Sequence, residues 1–122
     1  MSCPCGSGKD YADCCGPYIK GKENPPTPEA LMRSRYTAYS RNNLDYIEQT
    51  MRGEALEHFE RKKGNGIEWI KLDVLFSEED GDQGTVQFIA TFLYQGVENL
   101  MHEKSSFERI DGKWYYTKGI IS

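Results

Sequence analysis

All four cysteines of this chain, Cys3, Cys5, Cys14 and Cys15, fall within its first fifteen residues. They form a Cys-x-Cys pair and a Cys-Cys pair, with "GSGKDYAD" between them. A bridge between the neighbours Cys14 and Cys15 would be strained, and Cys3 and Cys5 close too short a loop for relaxed disulfide geometry. A cross-pairing such as Cys3 to Cys14 needs an oxidising compartment, to which nothing in the sequence points. The Cys-x-x-Cys spacing of thiol redox catalysts is absent. Four thiolates at about 2.3 Å around one Zn²⁺ make a closed tetrahedral site of the structural kind. Gly6 and Gly8 permit the tight turn between the pairs. Lys9 is placed to offset the net charge of about −2 that four thiolates and one dication leave. Tyr11 and Tyr18 are candidate lids, and Gly16-Pro17 is expected to end a short helix carrying Cys14 and Cys15.

The remainder does not need such a staple, since about 100 residues can bury a core without disulfides. No apolar run approaches the roughly 20 residues of a membrane-spanning helix. The opening Met-Ser-Cys-Pro-Cys lacks the basic and apolar segments of a secretion signal, which points to the cytoplasm. A net charge of −4 disfavours non-specific nucleic-acid binding by the molecule as a whole. "GSGK" is not a phosphate-binding loop, because Lys9 precedes Asp10 and no strand comes before it.

Lys20 to Pro26, "KGKENPP", reads as a polar linker. Thr27-Pro28-Glu29 supplies a cap, a proline at the first helical position and an acid in the first turn. Helical spacing then runs from Pro28 to about Arg41. Leu44, Ile47 and Met51 mark a second helix, and Leu56 with Phe59 a third, ended by Lys62-Lys63-Gly64. After Gly66 the period becomes two. Ile70, Leu72, Val74 and Phe76 define one strand face, and Val86, Phe88, Ala90, Phe92 and Tyr94 the next. "EEDGDQG", "QGVEN" and "DGK" are turns, a third strand runs to about Ile110, and "WYYTKGII" is the last. Helices followed by an antiparallel meander is an α+β layout, with a curved sheet wrapped on a long helix.

Two resemblances follow from these residues. Cys3, Pro4, Cys5, Gly6, Ser7, Gly8, Lys9, Tyr11, Cys14, Cys15 and Gly16 resemble the SEC-C motif, the small zinc module at the C-terminus of the translocase motor SecA. Many copies have histidine as the last ligand, where this chain has Cys15. "LMRSRYTAY" and "HEKSSFERIDGKWYYTKG" resemble the middle domain of the bacterial YchJ-like family, whose fold is the nuclear-transport-factor-2-like (NTF2-like) cone. The resemblance implies a SEC-C zinc-binding module at 1–19, a linker at 20–27 and an NTF2-like α+β domain at 28–122. It implies one structural Zn²⁺ on the four cysteines, and docking on proteins or ribosomes in place of catalysis. Many family members carry a second SEC-C motif at the C-terminal end; none lies within these residues.

Two functions compete. One is an adapter that docks through the zinc module, with Lys9, Lys20 and Lys22 as its cations. The other is a small-molecule binder or enzyme using the hollow of the cone. No Ser-His-Asp set or converging carboxylate pair is visible, so no catalytic residue is assigned. His58 belongs to a charged helix, and His102 lies opposite Met101 on the polar side of the third strand. The aromatic residues Tyr36, Tyr39, Trp69, Trp114, Tyr115 and Tyr116 read as core or pocket wall. Helical spacing puts Arg35 in the middle of the apolar stripe of Leu31, Ala38 and Tyr39, with Arg33 on the opposite side. Period two puts Glu103 on the same strand face as Met101, Ser105 and Phe107. The expectation is an Arg35–Glu103 ion pair inside the cone, with Tyr39 and Trp114 as walls of a pocket above it.

Overall fold

The computed structural model describes residues 2–59 and 66–121. A single 3₁₀ turn, Tyr11–Asp13, leads into a short helix α1, Gly16–Ile19. Gly16-Pro17 therefore starts a helix instead of ending one. Proline lacks the N–H that a first helical turn leaves unbonded, so it suits that position. The main helix α2 spans Pro28–Ser40, and the Thr27 side chain accepts the Ala30 N–H at 3.0 Å. Asn42 ends it in the left-handed region at φ 57°, and the Asn43 N–H returns to the Ala38 carbonyl.

Helix α3, Leu44–Gln49, is capped by the Asn43 side chain. It stops before Met51, where the second helix was expected to continue. The Thr50 hydroxyl turns back to the Tyr46 carbonyl at 2.8 Å, and Met51 instead forms a parallel bridge to Tyr116. Helix α4 is short, Gly53–Glu57. Its expected terminator, Lys62-Lys63-Gly64, lies outside the described residues.

Four antiparallel strands follow in the order β1-β2-β3-β4: Ile67–Asp80, Gln83–Tyr94, Val97–Ile110 and Lys113–Ile121. Two hairpins turn on only two residues, Gln95-Gly96 and Asp111-Gly112, all four at positive φ. Such turns match the twist of the strands they join, so strand pairing runs further than "QGVEN" suggested. Strand β1 is bulged between Trp69 and Lys71 and again between Val74 and Phe76. Each bulge moves the side-chain alternation by one residue and bends the strand. Trp69, Leu72 and Val74 therefore pack on the core, while Ile70 and Phe76 are 46% and 47% exposed.

The sheet curves against α2. Leu31, Met32 and Tyr36 of the helix join Leu72, Val86, Phe88, Ala90, Phe107 and Trp114 in one buried cluster, which also contains Cys3, Cys5 and Cys15. A smaller cluster of Ala38, Tyr46, Ile47 and Met51 closes the other end of α2. No helix among the described residues is long and apolar enough to cross a membrane.

Candidate metal centre and the cavity beneath the main helix

The four cysteine sulfurs all lie within 4.8 Å of one another. Cys5 Sγ is 3.6 Å from Cys14 Sγ, which is 3.9 Å from Cys15 Sγ. No bond joins them, and all four are free thiols. Sulfurs arranged tetrahedrally about 2.3 Å from one ion stand about 3.8 Å apart. The spacing of the set is thus close to that of a four-coordinate metal site.

Local backbone produces this. The Cys3 N–H donates to the Lys9 carbonyl at 2.8 Å and the Gly6 N–H to the Cys3 carbonyl, folding the first pair over. Gly6 and Gly8 take φ of 79° and 86°, where a side chain would be strained. Tyr11 lies against Gly16, where a Cβ would meet its ring at 3.1 Å, and the Arg41 guanidinium stacks 3.8 Å from the Tyr11 ring centroid. Helix α2 anchors the loop: Arg33 Nη1 donates to the Cys5 carbonyl at 2.8 Å while its Nε donates to Glu29. Glu29 in turn accepts from Ser77 of β1. Arg33, set opposite the apolar stripe by helical spacing, is thus a bracket between the cysteine loop and the sheet.

The thiols set one another's protonation. The hydrogen bond from Cys15 draws the Cys5 thiol down to about 4. That same bond, with burial, pushes Cys15 up, and burial pushes Cys14 up. Protons on neighbouring thiols hold one thiolate in place, the role a dication takes when all four ionise. Cys14 is the most accessible of the four and meets the Ser7 hydroxyl at 3.1 Å. It borders a cavity of about 430 Å³ shared with Lys9, Tyr18 and Arg33. Lys20 and Lys22 are exposed, following α1, and do not border that cavity.

The second site lies between α2 and the sheet. Arg35 is 2% exposed, and its Nη1 donates to the Ile47 carbonyl at 2.9 Å and to Thr50 Oγ1 at 2.7 Å. Its guanidinium carbon lies 4.5 Å from the Tyr116 ring centroid and 5.9 Å from that of Tyr39. Burial pushes its pKa down, opposed by the surrounding tyrosines and Glu103. Glu103 Oε2 accepts from Ser105 Oγ at 2.5 Å and from the Tyr116 hydroxyl at 3.2 Å.

The expected Arg35–Glu103 ion pair is therefore not formed. Tyr116 stands between the two, its ring under the cation and its hydroxyl on the carboxylate. Both residues border one cavity of about 230 Å³, with Tyr36, Tyr39, Trp69 and Tyr116 among its walls. Trp114 is not a wall. It is buried beside Gly84, where an added Cβ would come 3.3 Å from its ring and also strike Pro28. Sequence reasoning missed Tyr116 as the link and Gly119 as its enabler. An added Cβ at Gly119 would strike the Tyr116 hydroxyl and lie 2.8 Å from the Glu103 carboxylate. A glycine inside a strand is the available signal for such a close approach.

Fold and cysteine set together define a two-part protein class, a SEC-C motif followed by an NTF2-like domain. The SEC-C motif matches residues 2–17, and the family described as "YchJ, middle NTF2-like domain" matches residues 27–119. The chain is 38% identical to a UPF0225 protein of Serratia proteamaculans, over 96% of this chain and 81% of that one. It is 42% identical to a SEC-C motif containing protein from Rhodopseudomonas palustris, whose solution structure superposes with a TM-score of 0.92 and covers 100% and 99% of the two chains. A SEC-C motif containing protein from Psychrobacter arcticus, 25% identical, superposes at 0.81 over 98% and 82%. The chain belongs to the YchJ-like family.

Proposed function

We propose that this is a zinc-braced cytoplasmic adapter that docks on a protein or ribosomal surface through its SEC-C module. The convergence of Cys3, Cys5, Cys14 and Cys15 at the spacing of a tetrahedral site supports it most directly. A bound Zn²⁺ supplies a cross-brace and no reactive position, since all four ligands come from the chain. Three of the four cysteines pack into the core, while Ser7, Gly8, Lys9, Lys20, Gly21 and Lys22 are exposed. A cross-brace would fix that outer surface, and its lysines suit an anionic partner. Metal analysis of reduced, purified protein is expected to give one zinc per chain. Substantially less metal would remove the brace, and another metal in its place would remove the zinc. Capture of partners from lysate by wild type and by Cys14→Ser then tests the docking: partners that persist on the metal-depleted variant would move binding to the cone.

A second reading has its own support. The cavity bordered by Arg35 and Glu103 offers opposite charges between aromatic walls, the composition of a small-molecule site.

A further inference from the structure

Arg35 uses one of its nitrogens on two neutral acceptors. Among the described residues, no hydrogen bond or ion pair engages its Nη2 or Nε, and none engages Glu103 Oε1. Yet both residues face the same cavity. A buried guanidinium held between two rings strongly favours an anion. A simple carboxylate there would also face Glu103, and like charges in one small site disfavour each other. A ligand carrying an anion at one end and a donor at the other satisfies both groups. The space is about 230 Å³, enough for roughly eight waters and below the roughly 300–1,000 Å³ of sites for drug-sized ligands. Its remaining surface is apolar, from Met32, Phe88, Ala90 and Met101 with the rings of Tyr36 and Trp69.

We propose that this cavity binds a small zwitterion with an apolar body, of the chemistry of an aliphatic amino acid, its carboxylate on Arg35 and its ammonium on Glu103. This rests on reading the cavity as a ligand site. Tyr116, bonded to Glu103 and stacked on Arg35, holds the two ends apart; it is a positioning residue.

The full-length protein, labelled with ¹⁵N, is titrated with alanine, valine and leucine and with their amides and N-acetyl derivatives. The best-fitting amino acid is expected to move the Trp69 indole resonance and leave that of Trp114 in place. It should bind about tenfold or more tightly than its amide, which lacks the anion, and than its N-acetyl form, which lacks the ammonium. Glu103→Gln should abolish discrimination against the N-acetyl form while preserving discrimination against the amide. An amide that binds as tightly as the acid would overturn the carboxylate–Arg35 contact. An N-acetyl form that binds equally well to wild type would overturn the role of Glu103. Either result leaves the cavity as a ligand site. If no member of the panel moves Trp69, the zwitterion falls, and the reading of the cavity as a small-molecule site is left to ligands of other chemistry.

Discussion

The cysteine cluster takes all its candidate ligands from one short stretch between Cys3 and Cys15, whereas the Arg35–Glu103 cavity is assembled from α2 and all four strands. Both concentrate charge in a buried place. In the cluster, four thiols are held close enough that, once ionised, they would need a shared cation to resolve their repulsion. In the cavity, opposite charges are held apart, and a tyrosine occupies the line between them. A site whose members are close in sequence can be shaped by turns alone, and its shape then depends on what it binds. A site assembled across a sheet inherits its shape from strand register and keeps it unliganded.

The largest expected effect separates the two on that ground. Metal chelation should release residues 2–20, because structural zinc contributes on the order of 10 kcal/mol to the folding of small sites. Cys3, Cys5 and Cys15 are also members of the main core cluster, so the loss should not stop at the loop. Hydrogen exchange is expected to show fast amides through residue 20, weakened protection in the first turns of α2, and retained protection in β2 and β3. A melting temperature unchanged by chelation would show the loop to be independent of the core. Cooperative unfolding of the whole chain would erase the distinction between the two regions.

The next effect tests whether the cavity charges are separate. Arg35→Met removes one donor from the Ile47 carbonyl, which keeps the Thr50 hydroxyl, and the donor to Thr50 Oγ1, and should cost about 3–5 kcal/mol for two buried hydrogen bonds to a charged group. Glu103→Ala strands the Ser105 and Tyr116 hydroxyls and should cost less, about 1–3 kcal/mol. Joined only through Tyr116 and a shared cavity, the pair should show an indirect coupling of about 0.5–2 kcal/mol in denaturant unfolding of the double variant. A coupling of several kcal/mol would restore the direct ion pair.

This is also where legibility in the sequence ends. The cysteine set is readable because its geometry follows from spacing. Arg35 and Glu103 are readable as inward-facing because helical and strand periods fix the face of each residue. Their contact is not readable, because it depends on where β4 pairs with β3, and the register there shifts between Ser106 and Phe107. The same mechanism misplaced Ile70 and Phe76, whose faces change at the β1 bulges. Trp114 reads as a cavity wall from its aromatic character alone. The close approach of Pro28 to Gly84 instead sets its place.

Extremes of pH should strike the two regions from opposite sides. Acid protonates the thiolates and so releases metal, loosening the cysteine loop first. Alkali acts on the cone. Burial pushes the phenols of Tyr36 and Tyr46 up to about 12, from an ordinary value near 10. The folded protein holds these protons where the unfolded chain has lost them, so their contribution is complete below pH 10 and disappears as pH rises through about 12. Each is worth about 2–3 kcal/mol. Denaturant midpoints measured from pH 9 to 12 should fall steadily, alongside tyrosinate absorbance that develops in two stages. A single stage near pH 10 with flat stability would show the rings to be solvent-accessible.

The smallest effect on the protein itself is expected from Lys9, Lys20 and Lys22, and that smallness makes them informative. All three are exposed, and surface substitutions away from caps, pairs and core usually change stability by less than about 0.5 kcal/mol. Replacing all three with glutamate should leave the melting temperature nearly unchanged. It reverses the local charge on the face that a metal brace would hold rigid, so a captured anionic partner should bind more weakly and with a flatter dependence on salt. Arg35→Met is the matched control: it should lower stability strongly while leaving that salt dependence intact, because Arg35 is buried on the other side of α2 from Arg33 and the cysteine loop. Equal partner affinity before and after lysine reversal would confine these residues to solubility. A salt dependence that instead followed Arg35 would place recognition in the cone, and the two regions would have exchanged roles.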